Sequence, residues 1–215
     1  MSDKKTVVVM GQRRSGTSML AGVLYNLGVY MGEDPERSSE KNEVGFYEDQ
    51  EVVELSRKVM NFVVEGGSKA EVEKEFGSEI NKLFRKRDKE HGIWGFKDVN
   101  QVQTHFIFRK KIKNPKYFVV FRNPLDTALS MSNWHGINLL ESLASVNDNN
   151  SMIHQYMLTT LAGDPVVAVS YEKMLTEPEE TVKTIMDFLE IKPTEEQIKN
   201  AVEHIKPELN HYGRG

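Results

Sequence analysis

One short segment limits what this chain can fold into more than any other: Gly11-Gln12-Arg13-Arg14-Ser15-Gly16-Thr17-Ser18. It follows directly on an apolar run, Val7 to Met10, which reads as a buried parallel strand. It leads into Thr17 to Leu27, where Met19, Leu20, Val23, Leu24 and Leu27 recur at helical spacing. Strand, glycine loop and helix together form the opening unit of an α/β nucleotide-binding fold. In such a unit successive backbone N–H groups and the helix N-terminus point at one spot, so the loop can nest an anion.

The glycine spacing is that of a phosphate loop, G-x-x-x-x-G-K-[ST], but Thr17 stands where the lysine belongs. An ATP-using enzyme sets that lysine on the β- and γ-phosphates and the next hydroxyl on Mg²⁺. Here the cations are Arg13 and Arg14, placed before the second glycine, and Thr17 and Ser18 add hydroxyl donors. A guanidinium can neutralise charge on a leaving phosphate without a metal. Taken alone, the loop also fits a plain strand-to-helix turn carrying two exposed arginines.

The rest of the chain alternates in the same way. Residues 28 to 49 read as irregular. Gln50 to Glu65 reads as a helix stopped by Gly66-Gly67, and Lys69 to Lys89 as a charged helix with Val72, Phe76, Ile80, Leu83 and Phe84 on its apolar face. Gly92 to Lys97 is expected as a strand, Asn100 to Ile112 as a helix and Tyr117 to Phe121 as the clearest strand. Pro124 suits the first turn of the next helix, where its missing N–H costs nothing. Residues 151 to 162 read as helix, Val166 to Tyr171 as strand, and Pro178 to Leu189 and Thr194 to Ile205 as closing helices. The expected architecture is α/β: one domain over residues 1–215, of P-loop type, with three layers and a central, mostly parallel sheet flanked by helices.

Composition narrows the function classes. The 28 Lys and Arg against 32 Asp and Glu give a formal net charge of −4, which supplies no broad basic field for nucleic acid. The chain has no cysteine and six scattered histidines, so neither a thiolate nucleophile nor a metal cluster is expected. The N-terminus carries no long apolar core and no stretch is long enough for a membrane span, so the expectation is a cytoplasmic protein without a membrane partner. The sequence leaves the oligomeric state open.

A second signature is Phe121-Arg122-Asn123-Pro124-Leu125-Asp126-Thr127-Ala128-Leu129-Ser130. Arg122 ends the clearest strand and Ser130 comes two helical turns later. Arginine followed eight residues on by serine, after a strand, resembles the 3′-phosphate motif of sulfotransferases that use 3′-phosphoadenosine 5′-phosphosulfate (PAPS). Arg14-Ser15-Gly16-Thr17-Ser18 resembles their 5′-phosphosulfate loop. Trp94-Gly95-Phe96-Lys97-Asp98 resembles the family's strand ending in a lysine beside the sulfate. Tyr171-Glu172, with Pro178 beyond it, resembles a late segment whose tyrosine contacts the cofactor. Asn42 to Asp49 resembles the segment after the loop in bacterial-type members.

The resemblance implies a sulfuryl donor, PAPS, with 3′,5′-ADP as product, a small-molecule or glycan hydroxyl as acceptor, and no required metal. It implies Arg13, Arg14, Ser15, Gly16, Thr17, Ser18, Arg122, Ser130 and Tyr171 as cofactor-binding residues. Lys97 and Arg14 are then leaving-group stabilisers. Cytosolic small-molecule members keep a catalytic histidine two residues after the strand lysine, and here that position is Val99. Glutamate-using members keep a base after the first loop, which makes Glu43 and Glu48 the candidates, with Asp98 and His135 behind them. The late Arg-Lys-Gly cofactor loop has no clear match, Gly213-Arg214-Gly215 lying too near the end. Each role has a plain alternative: Glu48 or Asp49 as a helix cap, Glu43 as a solvated acid, Lys97 snorkelling, Tyr171 in the core, His105 and His135 on the surface or a helix. The basic runs at 85–87 and 109–113 read as solvated helix faces. Two other readings stay open: a phosphate-loop nucleoside or small-molecule kinase, and a non-catalytic nucleotide-binding protein on the same scaffold.

Overall fold

The structure, a computed structural model, describes residues 4–33, 45–98 and 101–206, without the side chains of residues 101 and 102. Four strands form one parallel sheet in the order β2-β1-β3-β4: β1 is Lys5–Gly11, β2 Ile93–Lys97, β3 Pro115–Phe121 and β4 Val166–Ser170. Val9 pairs with Lys97, Gly11 with Val120 and Phe121 with Ser170. All four carboxyl ends therefore lie along one edge, the edge at which α/β sheets bind ligands.

Side chains alternate across the central strand. Val7 and Val9 pack with α1 (Thr17–Asn26), α8 (Pro178–Leu189) and α9 (Glu195–Glu203). Val8 and Met10 pack on the other face with α2 (Gln50–Val64), α3 (Lys69–Glu90) and α4 (Gln101–Phe108). Both faces are covered, as the unbroken apolar run of β1 requires. The expected α/β architecture is present, with every strand pair parallel.

The larger departures have identifiable causes. The helix expected over 151–162 is α6, Leu139–Thr159, which starts twelve residues earlier at the capping Asn138. The Asn-Asp-Asn-Asn-Ser stretch at 147–151 reads locally as loop, but Ser142, Val146 and Ile153 form a buried stripe, and Val146 packs against Ala128 and Met131 of α5 (Pro124–His135). Tertiary packing overrides the weak propensity. Helix α4 stops at Phe108, four residues short, where Arg109 turns away to a bidentate pair with Asp164 at 2.6 and 2.7 Å. Tyr171 does not end the last strand. It opens a short helix, α7 (Tyr171–Thr176), whose cap is Ser170.

The basic runs are not simply solvated faces. Arg87 is buried at 1% exposure against Asp49, and Lys110 and Lys111 pair with Glu73 beyond the end of α4. Of the two places expected for His105, surface or helix, the structure has the helix: it is fully buried on α4, with Nε2 2.9 Å from the Tyr117 hydroxyl.

Burial, then the Arg109 charge, pushes the pKa of His105 down to about 3. Burial, then Lys206, pushes that of His204 to about 4. Unfolded, both rings titrate near the ordinary histidine value of about 6.5. Below that pH the unfolded chain binds protons that the folded chain refuses, so stability falls as pH drops from about 6.5 toward 4, by up to about 1.4 kcal/mol per pH unit for His105. His105→Gln cannot titrate and should lose less melting temperature than wild type between pH 7 and 5. Equal losses would mean that His105 takes up its proton as readily in the folded chain as in the unfolded one.

Candidate active site

The loop after β1 has the backbone of an anion nest. Arg14 (φ 68°) and Gly16 (φ 98°) both adopt left-handed conformations, and Ser15 N–H closes a turn on the Gln12 carbonyl at 3.1 Å. Gly16 has to be glycine for a second reason: a Cβ there would lie 2.2 Å from the Tyr171 ring. Helix α1 starts at this point with no side-chain cap and no acid in its first turn. Its N-terminal N–H groups and positive dipole end therefore remain for an anion. Ser15 Oγ is buried and has no hydrogen-bond partner among the described residues. An orphaned donor inside a nest fits a phosphate or sulfate oxygen.

Four cationic side chains converge on or near this loop. Lys97, at the end of β2 and 3% exposed, donates from Nζ to Ser18 Oγ at 3.2 Å and pairs with Glu48 Oε1 at 2.8 Å. Arg14 donates from Nε to Ser130 Oγ at 3.1 Å, and its guanidinium lies 4.1 Å over the Trp134 ring. Arg122, beyond the end of β3, donates from Nη1 to the Arg14 carbonyl at 3.1 Å and stacks 4.4 Å over Tyr171. Arg13 is on the exposed side of the loop, and Thr17 is buried in the first turn of α1.

Helix α5 brings Ser130 here because it starts immediately after Arg122. Asn123 caps it through Leu125 N–H and Asp126 N–H, with Pro124 in the first turn as expected. Ser130 and Trp134 are one turn apart on the same face, which is why both meet Arg14. Trp134 is a site residue that the sequence reading missed, although its spacing from Ser130 points to it. Tyr171 is held at the loop by the cap of α7, and Glu172 accepts from Asn123 N–H at 2.7 Å, joining the two turns. Burial raises the Tyr171 phenol pKa, with Arg122 pulling the other way, so the hydroxyl stays protonated.

Among the candidate bases, Glu48 is at the site and Glu43 lies outside the described residues, as does Val99. The ring of Tyr47 faces Tyr25 and His204, at 5.7 and 5.2 Å between centroids. The Glu48 carboxylate faces Lys97. Asp49 is the residue that caps α2, through Glu51 and Val52 N–H. Asp98 is buried and tied to Ser56, which also meets Thr104 Oγ1 at 3.0 Å, so its carboxylate is part of the packing between α2, β2 and α4.

An anion nest at the carboxyl edge of a parallel sheet, ringed by Arg14, Lys97 and Arg122, defines an α/β protein built to handle a phosphate- or sulfate-bearing ligand. The sulfotransferase domain model matches residues 4–208, and the chain belongs to the sulfotransferase family. Its fold is similar to the sulfotransferase domain of the Synechococcus PCC 7002 olefin synthase, with a TM-score of 0.60, 18% identity, and 97% of this chain and 86% of that one covered. It is also similar to a sulfotransferase from Alicyclobacillus acidocaldarius, with a TM-score of 0.53, 14% identity and 97% and 96% covered. A third similar fold is a Mycobacterium avium sulfotransferase, with a TM-score of 0.55, 12% identity and 99% and 69% covered. No match was found among curated proteins. Among the described residues no cluster of three or more potential ligands could hold a metal ion, and no helix is long and apolar enough to cross a membrane.

Proposed function

We propose that this sulfotransferase takes its sulfuryl group from PAPS and gives it to an alcohol, with a sugar hydroxyl as the favoured acceptor class. The observation that carries the reading is the Lys97–Ser18 contact. Ser18 occupies the loop position whose hydroxyl holds Mg²⁺ in ATP-using enzymes. Here that hydroxyl meets a lysine ammonium supplied by the neighbouring strand. The same contact weighs against the kinase reading, since the cation at the loop belongs to the protein.

When bound, PAPS supplies an activated sulfuryl group whose leaving group is the 5′-phosphate of 3′,5′-ADP. In this reading the nest of Arg14 to Ser18 holds the 5′-phosphosulfate, and Ser15 Oγ gains its missing partner there. Arg122 and Ser130 hold the 3′-phosphate and Tyr171 packs against the loop. Lys97 and Arg14 stabilise the charge that develops on the leaving oxygen. The acceptor oxygen forms its bond to sulfur as the bond from sulfur to the phosphate oxygen breaks. The acceptor proton passes to a glutamate, Glu48 or Glu43, and an alcohol needs that base more than a phenol does.

Thermal shift tests the donor. In EDTA, 3′,5′-ADP should raise the melting temperature more than 5′-AMP at equal concentration, because only the former carries the 3′-phosphate. A ligand at 100 times its dissociation constant contributes about 2.7 kcal/mol. Equal shifts for the two nucleotides would remove the argument for PAPS.

A further inference from the structure

Arg87 occupies a core position of α3. It continues the buried stripe of Val72, Ile80, Leu83 and Phe84, while Arg85 and Lys86 beside it are exposed. An apolar residue would be the ordinary occupant. Instead a guanidinium makes a fork on Asp49, Nε to Oδ2 at 2.7 Å and Nη2 to Oδ1 at 3.0 Å, with both side chains 1% exposed. Nη2 also meets Glu51, and the guanidinium lies 5.3 Å over the Tyr30 ring. A buried pair of this kind is weak evidence for stability, because apolar replacements of similar volume are often as stable or more so. What a bidentate fork supplies is fixed geometry.

The geometry it fixes is the placement of Glu48. Asp49 is held by the fork and by its cap bonds to Glu51 and Val52 N–H. On the other side of Glu48, Tyr47 adopts φ 50°, a left-handed conformation that an aromatic residue keeps only when its surroundings enforce it. Its ring is enclosed by Tyr25 and His204. Behind the segment, Gly32 leaves no room for a Cβ, which would lie 2.8 Å from Asp49 Cα and 3.1 Å from the Glu48 carbonyl. Both neighbours of Glu48 are thus pinned, and its carboxylate is delivered to Lys97.

We propose that Arg87 is a positioning residue for sulfuryl transfer, setting through Asp49 where Glu48 meets Lys97 at the phosphate loop. This rests on the proposed sulfuryl transfer and takes Glu48, of the two glutamates named for it, as the base. The test is a double-mutant cycle on the full chain with Arg87→Lys, Glu48→Gln and the double variant. Lysine keeps the charge and loses the fork. PAPS turnover is followed with a methyl glycoside or water as acceptor, and 3′,5′-ADP affinity by calorimetry.

Arg87→Lys should lower kcat by about 10-fold or more, since a misplacement of about 1 Å can cost 10²-fold. Its 3′,5′-ADP affinity should stay within about twofold, and in the Glu48→Gln background it should change kcat by less than about twofold. If it lowers kcat by the same factor in both backgrounds, Arg87 acts independently of Glu48 and the proposal is overturned. The same follows if Arg87→Lys keeps wild-type kcat. If Glu48→Gln alone keeps full turnover, the reading of the base fails, a result distinct from the other two. Asp49→Asn, which keeps the α2 cap, carries the same expectations should Arg87→Lys fail to fold.

Discussion

Lys97→Met is expected to lower sulfuryl-transfer turnover by about 10²–10³-fold, the usual cost of deleting a group that stabilises charge in the transition state. Lys97 is almost fully buried and bridges two elements of the site, Ser18 on α1 and Glu48 ahead of α2. Methionine fills much of the same volume without the charge. It also leaves the Glu48 carboxylate, at 14% exposure, facing an apolar neighbour, and an unsatisfied group of that kind costs about 1–3 kcal/mol. The variant should therefore melt lower than wild type as well as turn over slowly. Adding Glu48→Gln should recover most of the lost melting temperature and none of the lost turnover. That split separates the pair's contribution to folding from the lysine's contribution to the reaction. Turnover near wild type in Lys97→Met would remove Lys97 from the mechanism.

Glu48→Gln should lower turnover by about 10²-fold or more, the range lost with a general base, and leave 3′,5′-ADP affinity nearly unchanged. Glutamine keeps the shape of the side chain, and its carbonyl can still accept from Lys97. What it loses is the capacity to take the acceptor proton. Glu43→Gln is the paired measurement, because Glu43 is the other glutamate after the first loop. A large loss in Glu43→Gln with full turnover in Glu48→Gln would move the base to Glu43 and leave Glu48 as the counter-ion of Lys97.

Much of this site was legible in the sequence because its parts are local. The glycine loop, the strand-end lysine and the arginine with its serine two turns later each sit at a junction between a strand and the element after it. Parallel strands then bring all those junctions to one edge without further instruction. What the sequence could not give is how the parts touch. The resemblance puts Arg122 and Ser130 on one 3′-phosphate, and the structure adds that both reach Arg14, one at its carbonyl and one at its guanidinium. That geometry depends on the left-handed turn at Arg14, a conformation that no spacing rule assigns to an arginine.

The features missed are the long-range ones. In sequence Arg87 reads as one of three solvated charges, because nothing near it names Asp49 as its partner. The helical place of His105 is legible, but its burial is not, because its partner, Tyr117, is on the next strand. The start of α6 escapes for the opposite reason. The Asn-Asp-Asn-Asn-Ser stretch at 147–151 argues locally for a loop, and the helix runs through it with Leu139, Leu143 and Val146 packed against α5.

The most direct measurement is transfer of label from [³⁵S]PAPS in EDTA to a panel of saccharides, simple alcohols and phenols, with 3′,5′-ADP quantified in the same samples. The account predicts a labelled product from at least one alcohol acceptor, 3′,5′-ADP released in equal amount, and loss of both signals in Lys97→Met. Retention of all label on PAPS across the panel, by a protein that binds 3′,5′-ADP, would contradict it.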